Sequence, residues 1–344
     1  MTVLSRRMFI VRVVLLLVLF VLGNASVAQS ALVKRSQYLM GTLVFVTGVA
    51  SDHAIAQQAV DAGLKEIRRL EELLSTWIPE SELSRVNAAA GQHSMKVSVE
   101  TINLLEYSLE MDRLTGGSFN IAIGPAVDLW NVNENGRVPT SQELEAVQSL
   151  IDLSQLRLNQ QARTVSLGRS GMQVDVGGIG KGFAADLAAE VMTSAGATAG
   201  VVAISGDIKT FGRMPDGQKF LFGIQHPRKE QGAVLATIEL ENEAVSTAGD
   251  YQRYFELNGI RYHHILDPQT LHPARLAQSV TVIASQGVMA DGLDTGIFIM
   301  GPEKGMALIE RLPEVEGVIV DADGKVTMSS GLTDRLKIET QVRN

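Results

Sequence analysis

Apolar residues recur along this chain in two rhythms. In the first half the spacing is helical. Ile55, Ala59, Ala62, Ile67, Leu70 and Leu74 fall on one face of a helix that Asp52 is placed to cap and that ends near Leu74. A loop, Ser75-Thr76-Trp77-Ile78-Pro79, follows it, and a short helix is predicted over 82–89, stopped by Gly91. Ser98 caps a second long helix carrying Ile102, Leu105, Leu109 and Met111, closed by Gly116-Gly117. A third amphipathic segment spans 141–150. Ahead of all these, Leu43 to Thr47 reads as a strand. From about residue 160 the rhythm shortens. β-rich runs are predicted at 164–167, 201–204, 220–224, 234–240, 262–266 and 280–284, separated by turn residues. Helices enter this half at 182–194 and again from about Met289. Helices gathered early and strands gathered late favour an α+β fold over a regular βαβ array. No internal repeat, low-complexity tract or long linker interrupts residues 29–344, which read as a single domain.

Composition bounds the function. The chain has 344 residues, 45% of them apolar and only 5% aromatic, so its core is large and mostly aliphatic. Net charge is −8, with no basic run beyond the amino terminus, which argues against a nucleic-acid partner. An anionic ligand therefore needs local help from helix amino termini, a few Lys or Arg, or a bound cation. There is no cysteine. This excludes disulfides, thiolate metal sites, a cysteine nucleophile and a lipid anchor on an amino-terminal cysteine. Residues 1–28 read as a signal peptide: Arg6 and Arg7, an apolar run from Val13 to Leu22, and the small residues Ser26-Val27-Ala28 before cleavage. The start Ser5-Arg6-Arg7-Met8-Phe9-Ile10 resembles a twin-arginine signal, which predicts a periplasmic protein exported already folded.

Three constellations have chemical potential. Asp291 and Thr295 stand four apart on a predicted helix, which puts two hard oxygen ligands suited to Mg²⁺ on one face. A solvated helix end explains the same pair. Tyr262-His263-His264-Ile265-Leu266-Asp267-Pro268 offers an imidazole that Asp267 is positioned to orient for acid–base work. Neighbouring strand residues face opposite ways, so only one of the two histidines belongs in a site. An edge-strand histidine before an Asp-Pro turn is the plainer reading. Val174 to Gly182 packs four glycines, Gly177 among them, and Lys181 ahead of a helix, an arrangement that lets an anion approach the backbone. It has neither P-loop nor Gly-x-Gly-x-x-Gly spacing, and a tight turn before a helix also accounts for it. Ser118-Phe119-Asn120, Ser205-Gly206-Asp207 and Ser246 to Tyr251 read as small-residue turns able to admit a ligand. Gly-x-Ser-x-Gly, His-Glu-x-x-His and kinase signatures are absent.

In order, these pieces resemble the ApbE-type FAD:protein FMN transferases across about residues 38–330. The matching motifs are Met40-Gly41-Thr42, Ser75-Thr76-Trp77, Ser81 to Asn87, Gly116 to Pro125, Asp175 to Gly182, Ala248 to Tyr251, His264 to Thr270 and Ala290 to Thr295. The resemblance implies an α+β fold of two intimately packed subdomains, with mixed or antiparallel sheet and helices, and a flavin cleft between them. It implies cleavage of FAD at its pyrophosphate, transfer of FMN to a Thr or Ser hydroxyl of a partner flavoprotein, and release of AMP. Metal ligation falls to Asp291, Thr295 and the Gly180 carbonyl. Flavin or nucleotide contacts fall to Met40, Ser75, Thr76, Trp77, Ser118, Phe119, Asn120, Lys181 and Ile265. His264 becomes the general base. The expected acceptor is a flavoprotein of extracytoplasmic electron transfer, with the nitrous-oxide reductase system the narrower expectation.

The departures from the family pattern matter. Asn120-Ile121 replaces Asp-Pro, Trp77 a tyrosine, Ala248 a serine, and Asp294 adds a carboxylate beside the metal pair. Leu271 replaces a glycine, so that turn is expected not to rely on positive φ. These changes keep two rival readings open: a metal-dependent FAD pyrophosphatase releasing free FMN, and a non-catalytic flavin carrier or maturation factor.

Overall fold

The computed structural model describes residues 30–230 and 232–338; the export signal expected over 1–28 lies outside them. Its spine is an eight-stranded antiparallel sheet. From one edge the strands run Ala31–Leu39, Thr42–Ala50, Ala199–Ile204, Asp207–Phe211, Ala244–Gly249, Ala277–Ala284, Glu316–Asp321 and Val326–Met328. Alternating side chains divide the sheet between two covers. Val44, Val46, Val202, Ile204, Val280 and Val282 face the helices His53–Leu74, Gly180–Ser194 and Gly287–Met300. Val245, Ile283, Val318 and Val320 face a small sheet of Leu336–Ile338, Val234–Leu240 and Phe220–Gln225. Ala277–Ala284 is buried along its whole length because both of its faces are covered.

The α+β class expected from the sequence holds, and so do the caps at Asp52 and Ser98. Asp52 accepts from the Ile55 amide at 3.0 Å, and the Ser98 hydroxyl caps Thr101 at 3.2 Å. The two later helices begin two residues earlier than expected, at Gly180 and Gly287, so Gly180 to Gly182 lie in the first helical turn and not ahead of it. Three further expectations need correction. Ser246 to Gly249 is not a turn. It lies in the strand Ala244–Gly249, where small residues are needed because the helix Gly287–Met300 lies close against it. The strand expected over 262–266 stops at His263, and Leu266 makes only an isolated bridge to Pro273. Leu271 does adopt the left-handed conformation, at φ +58°, although it has a side chain. Burial holds it there: Leu271 is fully buried beside Trp130, whose indole N–H donates to the Leu271 carbonyl at 2.7 Å.

Two hairpin tips stand side by side at one end of the sheet. Met40-Gly41 joins Leu39 to Thr42 with both residues at positive φ (+52° and +68°), as a two-residue hairpin loop demands. Ser205-Gly206 joins Ile204 to Asp207, with Ser205 at φ +60°. Both tips line the cleft described next.

Candidate active site

The cleft has an inner and an outer part. The outer part, about 700 Å³, is lined by Met40, Ser75, Thr76, Trp77, Gly177, Gly180 and Lys181. The inner part is lined by Ser118, Phe119, Asn120, His264, Ile265, Asp291 and Thr295. Trp77, Asn133, Asp175, Gly177, Lys181, Gln252 and Arg253 border both, so one continuous space connects them. Motifs far apart in sequence thus converge on one cavity.

Its floor is built where two helices begin. The Gly182 amide donates to Asp291 Oδ2 at 2.8 Å. A β-carbon on Gly182 would lie 2.1 Å from the Gly287 carbonyl, so glycine is what lets the helices Gly180–Ser194 and Gly287–Met300 touch. In the first turn of Gly180–Ser194, Lys181 Nζ lies 3.4 Å from Asp207 Oδ2. Burial works against the ammonium, but the Asp207 and Asp291 carboxylates outweigh it and hold the Lys181 pKa above the usual lysine value.

Three carboxyl groups crowd beside this lysine. Ser246 Oγ touches Asp207 Oδ1 and lies 2.5 Å from Asp294 Oδ2. A hydroxyl has one proton to donate, so one of the two carboxyls must donate in return. Asp294 is the proton holder: burial, then the charges of Asp291 and Asp207, push its pKa well above the usual carboxylate range. Burial, then Asp207, also raises Asp291. The Thr295 hydroxyl donates to Asp294 Oδ1 at 3.2 Å. These groups fit a hard cation, since all are oxygen donors and their mutual repulsion is what a divalent ion would relieve. Among the described residues, no three His, Cys, Asp or Glu side chains surround a metal position. A cation at this place would complete its shell from the Thr295 hydroxyl, backbone carbonyls and ligand oxygens. Gly180 borders only the outer cavity.

The histidines separate as strand geometry requires. His263 is buried; its Nδ1 accepts the Ile265 amide at 3.2 Å, its Nε2 lies 2.7 Å from the Ala274 carbonyl, and its ring packs edge-on against Phe298. Burial lowers its pKa to about 4, so it is a neutral structural group. His264 faces the inner cavity. Its Nδ1 lies 3.2 Å from the Arg253 carbonyl, which can only accept, so the ring proton sits on Nδ1 and the Nε2 lone pair is left available. Burial, then the Arg253 charge, lowers the His264 pKa to about 3. The orienting group is therefore the Arg253 carbonyl and not Asp267. The Asp267 carboxylate instead accepts from the Gln269 amide at 2.8 Å, within its own turn, and borders neither part of the cleft.

The remaining expected residues divide into rim and wall. Trp77 is 58% exposed on the rim, a free face for stacking. Phe119 and Ile265 are buried and form the inner wall. Asn120 Oδ1 accepts from the Ala122 amide at 2.8 Å. An aspartate would make the same bond, so this departure leaves the turn intact. The Met40 amide donates to Glu71 Oε1 at 2.6 Å, which fixes the hairpin tip over the outer cavity. Sequence reading missed Arg253, Gln252 and Asn133, which carry no motif signal, and read Asp207 and Ser246 only as turn residues.

Fold and site together define an α+β protein whose cleft brings a lysine, crowded carboxyl groups, a threonine hydroxyl and a neutral imidazole into one space. The model of the ApbE family matches residues 40–319, and the chain belongs to that family. Two relatives are each named FAD:protein FMN transferase. The one from Vibrio cholerae serotype O1 is 34% identical over 76% of this chain and 78% of its own length. The one from Treponema pallidum is 32% identical over 92% of this chain and 91% of its own. The crystal structure of the ApbE protein from Thermotoga maritima superposes with a TM-score of 0.82 at 28% identity, covering 88% of this chain and 98% of that one.

Proposed function

We propose that this protein transfers FMN from FAD to a Ser or Thr hydroxyl of a partner flavoprotein, with Mg²⁺ and with release of AMP. The observation that carries the reading is that His264, its Nε2 left free by the Nδ1 bond to Arg253, lines the same cavity as Lys181, Asp291 and Thr295. In the reaction the acceptor oxygen attacks the phosphorus attached to riboflavin, and its proton passes to His264 Nε2. The bond from that phosphorus to the bridging oxygen breaks, and AMP leaves with the bridging oxygen. Lys181 supplies positive charge beside the pyrophosphate, and Trp77 offers a stacking face for an aromatic ring. Asp291, Thr295 and the Gly180 carbonyl would hold Mg²⁺, which neutralises phosphate charge in such transfers. With no anion near, burial and Arg253 keep His264 neutral; the negative pyrophosphate acts in the opposite direction and makes the imidazole a better proton acceptor.

Export through the twin-arginine route, and an acceptor in extracytoplasmic electron transfer such as the nitrous-oxide reductase system, rest on Arg6, Arg7 and the apolar run behind them. Among the described residues, no helix is long and apolar enough to cross a membrane. Cell fractionation of wild type against Arg6→Lys with Arg7→Lys tests the route. The activity test combines purified protein, FAD and Mg²⁺ with a co-expressed periplasmic flavoprotein. The expected result is acceptor fluorescence that survives denaturing electrophoresis, with one AMP released per flavin bound. AMP and free FMN formed at the same rate without acceptor would establish a pyrophosphatase instead. Tight FAD binding with no AMP would establish a carrier.

A further inference from the structure

A second groove, about 890 Å³, opens from the cleft on the other side of the hairpin tips. It shares Gly41, Gln252, Arg253 and Tyr254 with the outer cavity and Ser205 and Thr247 with the inner one. One wall is the outer face of the main sheet, where Leu43 and Phe45 are 48% and 38% exposed. The other wall is Phe222, Gly223, Ile224 and Gln225. Side chains alternate along a strand, so four consecutive residues border one groove only if the backbone edge itself faces it. Gly223 supports this: a β-carbon there would point at Val234, so Gly223 meets the groove through its backbone. Phe220–Gln225 is an outer strand of its sheet, paired only with Val234–Leu240, and among the described residues nothing else bonds its free edge.

The charge of this groove is opposite to that of the protein. Arg228, Lys229, Arg253 and Arg261 border it and no carboxylate does, in a chain of net charge −8. Arg228 and Arg261 hold Asp250 between them, at 2.6 Å and 3.7 Å. Among the described residues Lys229 and Arg253 have no carboxylate partner. A groove with an open strand edge, an apolar face and a basic end suits an extended acidic peptide, in which main-chain bonds give affinity and side chains give specificity.

We propose that the acceptor flavoprotein docks here, adding an extended segment with acidic residues along the Phe220–Gln225 edge so that its hydroxyl residue enters the cleft toward His264. This rests on the transferase reading above. The probe is the flavoprotein that the wild-type protein labels in the fluorescence assay. Lys229→Glu and Phe45→Asp change exposed groove residues outside the flavin cleft. Each is expected to raise KM for the acceptor tenfold or more, with kcat at saturating acceptor and FAD affinity within twofold of wild type. Amide exchange across 220–225 is expected to slow at least tenfold when acceptor is added. Unchanged KM in both variants, or unchanged exchange, overturns the docking surface while leaving the transferase reading standing. Loss of FAD affinity instead gives the groove to the dinucleotide and also overturns it. A wild-type protein that labels no acceptor overturns the transferase reading itself.

Discussion

Leu271 sets two energies against each other at a single residue beside the site. Its left-handed φ of +58° costs a side-chain-bearing residue about 1–2 kcal/mol. Its side chain is fully buried with Trp130, Leu144, Ile151 and Leu266. Truncating such a leucine to alanine costs about 2–5 kcal/mol, and alanine keeps the left-handed strain. Glycine removes the strain but adds freedom to the unfolded chain, a loss of about 0.4–1 kcal/mol. The balance places Leu271→Gly about 2–4 kcal/mol below wild type and Leu271→Ala lower still, by roughly 0.5–1 kcal/mol. At about 2 °C per kcal/mol for a chain of this size, the glycine variant melts about 4–8 °C early. Thermal and urea unfolding of the three proteins side by side reads the order. A glycine variant as stable as wild type would show that strain outweighs burial. An alanine variant more stable than the glycine variant would refute the left-handed turn.

His264→Ala is expected to slow flavin transfer about 10²–10⁴-fold while FAD binding, followed by fluorescence titration, stays within a few fold; an equal loss of FAD affinity would make His264 a binding group. Burial and mutual repulsion raise Asp291 and Asp294, so their contribution to stability is lost as pH rises through their folded pKa values. Mg²⁺ at one fixed concentration, a hundredfold above its Kd at pH 8, should therefore stabilise the protein by about 2.7 kcal/mol at pH 8 and by much less at pH 5, which calorimetry at the two pH values checks. His263 titrates near 4 when folded and near 6.5 when unfolded, so its contribution is present above 6.5 and is lost as pH falls toward 4. That loss is about 3 kcal/mol, and His263→Gln should flatten this part of the stability–pH curve.

Helix positions were legible in the sequence because capping and 3.6-residue periodicity are local. Asp52 and Ser98 cap the helices they were expected to cap. The strand Ala244–Gly249 was not legible, because its small residues answer to a helix packed across it rather than to any neighbour in sequence. The chemistry divides in the same way. The order of short motifs was enough to indicate the family, and strand alternation was enough to say that His263 and His264 part company. Which of them enters the cleft, that a carbonyl of Arg253 and not Asp267 sets the imidazole tautomer, and that Ser246 ties Asp207 to Asp294 were decided by contacts between residues 11 to 48 positions apart. Distance along the chain is invisible to periodicity and propensity, whereas proton position and carboxyl crowding depend on ångström separations that only the packed structure sets.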